Sequence, residues 1–101
     1  MHIILWEFTV REEHTREFIS AYNPNGDWAK LFARADGYLG TQLLRSSHQP
    51  NTFLTIDRWR SVNDSEIFQR RFGQEYRKLD EQLEGYTSAE KKVGSFSEIA
   101  G

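Results

Sequence analysis

Between residues 52 and 72 the hydrophobic pattern changes period, in TFLTIDRWRSVNDSEIFQRRF. Phe53, Leu54, Thr55, Ile56 and Trp59 are aromatic, aliphatic or β-branched, and Gln49-Pro50-Asn51 ahead of them signals a turn, which predicts a strand. Ser61 then stands where an N-cap belongs, with Asp64 three residues on as a short-armed capping-box partner. Behind it Phe68, Phe72, Tyr76, Leu79 and Leu83 recur at spacings of four, four, three and four. Those spacings trace one face of an α-helix, which is expected to run unbroken to about Gly85.

The rest of the chain supplies neighbours for this pair. His2 to Val10 predicts a first strand with Ile4, Trp6, Phe8 and Val10 on one face and Ile3, Leu5, Glu7 and Thr9 on the other. One face is wholly apolar and the other half polar, as in a sheet covered differently on its two sides. Arg11 to Tyr22 predicts a helix with Phe18, Ile19 and Tyr22 inward and Glu12, Glu13 and Glu17 toward water, ended by Asn23-Pro24-Asn25-Gly26. Asp27 is placed to cap a short helix from Trp28 to Arg34, whose Trp28, Leu31, Phe32 and Ala35 share a face, and Asp36-Gly37 closes it. Tyr38 to Ser47 predicts a second strand, joined to the third as an antiparallel hairpin, and Gly40 within it marks a bulge or a close backbone approach. Glu90 to Ile99 predicts a fourth strand, interrupted by Gly94. The order is β-α-β-β-α-β with a split first helix. The predicted fold is α+β and ferredoxin-like, a four-stranded antiparallel sheet with helices on one side, in a single domain over residues 1–101.

Such a sheet has one bare face, and here neither face suits water. In the third strand Leu54 and Ile56 point one way and Phe53 and Trp59 the other. A second copy packed sheet to sheet would cover the excess, so a homodimer is expected. Aromatic content, 14%, adds to this: three Trp, four Tyr and seven Phe are more ring surface than a two-layer core needs. A partner subunit, a ring-lined pocket or both should account for it.

Composition narrows the classes. With 38% hydrophobic and 28% charged residues the chain reads as a soluble globular protein. The longest apolar run, Ile3 to Trp6, is far too short for a transmembrane helix, and the two residues ahead of it, Met1 and His2, leave no room for a signal peptide. Cysteine is absent, which removes disulfides and thiolate chemistry and makes a cytoplasmic setting the expectation. Net charge is −2 and no basic block exceeds two residues, which argues against nucleic acid. TFLTIDRW also lacks the glycine–aromatic pattern of an RNA-binding sheet.

For proton transfer the candidates are Tyr22, Tyr76, His14, Asp57 and Glu7; His2 and His48 are expected in solvent. Asp57 and Arg58 are adjacent on a strand and point to opposite faces, so a buried Asp57 needs another partner, and the dimer interface is one place to find it. Trp28, Phe32, Trp59, Phe68, Phe72 and Tyr76 are the candidate walls of a substrate pocket. Each has a plainer reading: Trp59 as the plug between strand and helix, Phe68, Phe72 and Tyr76 as the helix's core stripe, Trp28 and Phe32 as packing rather than a lid.

The run Phe53-Leu54-Thr55-Ile56-Asp57-Arg58-Trp59-Arg60-Ser61, followed by Phe68, resembles the central motif of the antibiotic biosynthesis monooxygenase family. Gly37-Tyr38-Leu39-Gly40 is similar to the opening of that family's second strand, and Val93-Gly94-Ser95-Phe96 to its last strand. The resemblance implies a dimeric α+β barrel, two ferredoxin-like subunits joined through their sheets. It also implies oxygenases that need neither metal nor flavin, so no cofactor, and that act on electron-rich phenols, quinols or anthrones. A deprotonated aromatic substrate can itself hand electrons to O₂; the protein then supplies a dry ring-lined pocket and a group to take the proton. One branch of the family degrades haem through an asparagine in the first strand, a tryptophan on the second main helix and a histidine further along it. Here Glu7 and Phe68 stand near the first two positions and no histidine follows His48, so haem degradation is not expected. The alternative to an oxygenase is a non-catalytic homodimer that binds a small hydrophobic ligand.

Overall fold

Alternation in the first and third strands becomes the middle of a sheet in the computed structural model, which describes residues 1–100. Strands β1 (His2–Val10), β2 (Tyr38–Arg45), β3 (Thr52–Trp59) and β4 (Thr87–Ser97) pair antiparallel in the order β2-β3-β1-β4. That is the ferredoxin-like order. Phe8 stands opposite Phe53 and Trp6 opposite Thr55, so the inward residues of both central strands meet on one face. Along β3 the residues Phe53, Thr55, Asp57 and Trp59 are buried and those between them are half-buried. The helices α1 (Thr15–Tyr22), α2 (Asp27–Phe32), α3 (Val62–Arg71) and α4 (Gly73–Leu83) supply the rest of a core made largely of rings. Phe18, fully buried, stacks on Tyr22 with centroids 4.1 Å apart, and Phe32 meets Phe68 edge to face at 5.1 Å.

Several element boundaries differ from expectation, each for a local reason. The first helix opens as a 3₁₀ turn over Glu12–His14 and becomes α-helical only at Thr15, whose hydroxyl bonds the Glu12 carbonyl at 2.8 Å. Asn23 closes α1 with its own side-chain amide on the Ile19 carbonyl, and the tight turn behind it makes Gly26, not Asp27, the N-cap of α2. Asp27 instead sits in the first turn, where a carboxylate meets the positive end of the helix dipole. The expected long helix is broken at Phe72 (φ −116°, ψ 20°), in front of Gly73, a poor helix former. The bonds Phe72 N to Phe68 O and Tyr76 N to Phe72 O, 2.8 and 2.9 Å, carry through the bend. β2 stops at Arg45, because the Ser46 hydroxyl takes the backbone N–H groups of His48 and Gln49 into a turn. β4 starts at Thr87 after a 3₁₀ turn over Glu84–Tyr86, three residues before the expected start, and ends at Ser97.

The cap at Ser61 forms: its hydroxyl oxygen accepts the Asp64 N–H at 3.1 Å. Asp64 does not complete a capping box, since its carboxylate turns to the Ser61 hydroxyl and to Arg60 Nε at 2.8 Å. Gly37, at φ +85°, packs under this cap so tightly that a Cβ there would lie 2.7 Å from Asp64 Cβ. The bulge at Gly40 is also present. Gly40 takes φ +131°, and the β2–β3 register slips by one residue between Tyr38 and Gly40, leaving Leu39 extra. A matching slip between Leu5 and Trp6 leaves Val93 extra in β4.

The helix-free face of the sheet carries Ile3, Leu5, Leu54 and Ile56, all half-buried, with Leu44 and Phe96 exposed at 44% and 48%. Among the described residues no helix is long and apolar enough to cross a membrane.

Candidate active site

The inward positions of β2 and β3 are not all apolar. Thr41, Thr55 and Asp57 share the helix-covered face with Phe53 and Trp59, and all three are buried. Around them lies an inner cavity of about 50 Å³, walled by Trp6, Phe8, Tyr22, Trp28, Phe32 and Tyr76 and reached by Asp80 and Glu90. A wider groove of about 620 Å³ adjoins it, bounded by Ile4, Trp59, Val62, Phe68, Gln69 and Lys92 among others. Trp6, Phe32, Asp57 and Tyr76 line both, so Asp57 stands where the two meet.

Asp57 is held from one side. Thr41 Oγ1 donates to its Oδ1 at 2.6 Å, and Thr41 in turn is 2.5 Å from the Tyr38 hydroxyl. Because the Thr41 proton goes to the carboxylate, Tyr38 is the donor of the second bond. The chain Tyr38–Thr41–Asp57 thus fixes one carboxylate oxygen, and Oδ2 has no hydrogen-bond partner among the described residues. Burial pushes the Asp57 carboxyl up to about 6, with the Thr41 hydroxyl offsetting part of the rise. A carboxyl poised just below neutrality and mostly ionised there, one oxygen free beside a cavity, is a group able to accept a proton. Its partner is therefore within the chain and under the helices. Asp57 shares the parity of Phe53 and Trp59, which turns it away from the face where a second subunit would lie.

Both inner tyrosines are poor acids. Burial raises the Tyr22 hydroxyl well above its ordinary range, and the neighbouring Trp28 indole N–H offsets part of the rise. Burial, then the field of Asp80, pushes Tyr76 up to about 12. Each keeps its proton at neutral pH, which leaves it able to donate a hydrogen bond but not to act as a base. The Trp28 indole N–H is buried and directed at the Tyr22 hydroxyl, short of full hydrogen-bond geometry.

Of the expected wall residues, Trp28 lines the inner cavity, Phe32 and Tyr76 line both spaces, and Trp59 and Phe68 line the groove. Phe72 lines neither. The bend between α3 and α4 turns it to the outer side of the core, where the guanidinium of Arg34 lies 5.0 Å from its ring centre and that of Arg71 5.5 Å. His14 also stands apart, bonded to Glu17 at 2.8 Å and packed on Tyr86 at 5.3 Å between centroids. Glu7 is exposed on the opposite face of β1. His48 is exposed in the hairpin turn, but His2, expected in solvent, is buried and lines the groove because its strand pairs on both sides. Trp6, Phe8, Thr41, Thr55, Asp80 and Glu90 are lining residues that sequence reasoning did not single out. A threonine at an inward strand position was the one available signal. Among the described residues no group of three or more His, Cys, Asp or Glu side chains is placed to hold a metal ion.

A family model described as antibiotic biosynthesis monooxygenase matches residues 1–78. Solved structures with the same fold include a Nitrosomonas europaea protein classed with the antibiotic biosynthesis monooxygenases, at 16% identity and TM-score 0.73, covering 99% of this chain and 100% of that one. SnoaB, a cofactor-independent oxygenase from Streptomyces nogalater, is 19% identical with TM-score 0.73, covering 99% and 94%. A Bordetella bronchiseptica protein of the same class is 14% identical with TM-score 0.74, covering 98% and 97%. At these identities the likeness is one of fold. No curated protein sequence matches the chain.

Proposed function

Because the chain belongs to the antibiotic biosynthesis monooxygenase family, we propose that it is a cofactor-independent oxygenase of a small electron-rich phenol, quinol or anthrone, with Asp57 as the proton acceptor. The observation that carries this reading is the carboxyl of Asp57, poised near 6 and free at one oxygen where a ring-lined cavity opens into a groove. The likeness in fold to SnoaB, a cofactor-independent oxygenase, supports it.

The chemistry closes without a further reactant. Asp57 takes the substrate's acidic proton, and the resulting anion gives electrons to O₂. A C–O bond forms at the activated carbon, and the peroxide so made accepts the proton back. Loss of the second hydrogen from that carbon breaks the O–O bond, and water leaves. One phenol or methylene and one O₂ become one quinone or ketone and one water. The rings around Asp57 exclude bulk water from the anion, which would otherwise be protonated before it met O₂. Tyr76, holding its proton, is the donor nearest in kind to what the developing oxyanion needs.

An oxygen electrode tests this with a panel of hydroquinones, naphthols and anthrones, with and without a chelator. The expected result is O₂ consumption in 1:1 ratio with quinone or ketone formed, unchanged by the chelator. No consumption above buffer across the panel, with tight binding of the same compounds, would leave a binding dimer in its place.

The functional unit in this proposal is a dimer closed over the apolar sheet face. Ile3, Leu5, Leu54, Ile56, Leu44 and Phe96 are the surface it covers. Sedimentation equilibrium is expected to give twice the 11.9 kDa of the chain. A folded protein that stays at the single-chain mass in dilute solution rules the dimer out.

A further inference from the structure

The inner cavity holds charge of one sign. Asp57 from β3, Asp80 from α4 and Glu90 from β4 all reach it, and no Lys, Arg or His lines it. The ion pairs among the described residues, His14–Glu17 and Arg60–Asp64, leave all three carboxylates without a cationic partner. Their fields converge on the rings: Asp80 and Glu90 both raise the Tyr22 and Tyr76 hydroxyls, and Asp80 raises Glu90 after burial does. Six aromatic side chains complete the wall, and ring faces attract cations for the same electrostatic reason. An anion formed here from a neutral substrate would be opposed by this field, whereas a substrate that brings its own positive charge would be helped by it.

We propose that the inner cavity is a cation site, and that the molecule it takes carries a protonated amine seated among these rings and carboxylates, with its aromatic body in the groove outside. This names the substrate class of the oxygenase site and rests on that reading for the site's purpose. Size agrees: the inner cavity of about 50 Å³ has room for an ammonium head, and the groove of about 620 Å³ has room for the ring. A second observation also asks for a ligand. Asp57 is 9% exposed, lines the cavity and has Oδ2 without a hydrogen-bond donor among the described residues, and an ammonium N–H would supply one. An organic cation fits better than a metal, since the carboxylates are not grouped as metal ligands are. The groove outside has both signs, with Arg70, Lys92 and Glu66, so the selection is made in the inner cavity.

Calorimetry with three matched phenols tests this: tyramine, neutral 4-ethylphenol and anionic 4-hydroxyphenylacetate, at pH 7.5 and low salt. Tyramine is expected to bind at least about tenfold tighter than 4-ethylphenol, the acid weakest, with the gap narrowing in 0.5 M NaCl. Asp80→Asn with Glu90→Gln, both outside the fully buried core, should bring tyramine to within about twofold of 4-ethylphenol and leave the latter unchanged. Equal binding of tyramine and 4-ethylphenol, tightest binding of the acid, no binding of any of the three, or an unaltered gap in the double variant overturns the cation site. Oxygen uptake on the same compounds separates the two proposals. Selective tyramine binding without uptake rejects the oxygenase and keeps the cation site; uptake on neutral quinols with no preference for amines does the reverse.

Discussion

An Asp57→Asn protein is expected to lose about 10²–10⁴-fold in kcat for oxygen uptake and yet to melt above the wild type at pH 8. The loss follows from removing the proton acceptor. The gain follows from linkage, and its sign is fixed by the direction of the shift. Burial raises the folded carboxyl from 3.8 to about 6, so the folded protein binds the proton more tightly than the unfolded chain does. Stability is therefore highest below the unfolded value, falls as pH rises between the two, and stays low above the folded value. The difference in pKa corresponds to at most about 3 kcal/mol at neutral pH and above. Asparagine has no proton to lose, and its carbonyl oxygen can still accept from Thr41, so the variant escapes that penalty. Melting curves at pH 4 and pH 8 check it: the two proteins should nearly coincide at the lower pH and separate at the higher. The wild-type kcat/KM should rise through about pH 6 and level off. A variant with full activity, or one no more stable at pH 8, would remove Asp57 from the proposed role.

Trp59→Ala is expected to cost about 3–5 kcal/mol of folding stability, read as a lower urea midpoint at unchanged slope. Trp59 is 2% exposed and joins β3 to the helices, with ring centroids 5.4 Å from Tyr38, 5.8 Å from Phe32 and 5.4 Å from Phe68. No single side chain can move into that space, because each neighbour is fixed by rings of its own. The loss would be a large share of the roughly 5–15 kcal/mol that holds a domain of this size together. Trp59→Phe keeps most of the ring contact and should recover more than half of the loss. A small effect of the alanine variant would mean that the groove side of the ring, not its packing, is what the protein uses.

The frame of the molecule was legible because it rests on local signals. Alternation placed β1 at its observed bounds, Ser61 announced its helix, and Gly40 announced its bulge. The bend at Phe72 was not legible, because Phe68, Phe72 and Tyr76 keep helical spacing and their backbone bonds across it. The spacing is the same whether the axis runs straight or turns. The site was legible in part. Rings at helical spacing suggested walls, and most of them line one of the two hollows. The partner of Asp57 was not, since Thr41 lies sixteen residues away and meets it only through the β2–β3 register. Asp80 and Glu90 were not singled out, since nothing local says that α4 and β4 bring them to one cavity. Trp6 and Phe8 read as ordinary core because a wall and a core have the same composition.

Both outer strands of the sheet, β2 and β4, carry inserted residues, Leu39 in one and Val93 and Ser88 in the other. An irregular margin makes a poor template for a newly arriving strand, since its free N–H and C=O groups fall out of step with a regular partner. The greasy surface lies on the flat of the sheet instead, where the second copy of the proposed dimer would mask it. Growth sideways into fibres is thus discouraged by the same insertions.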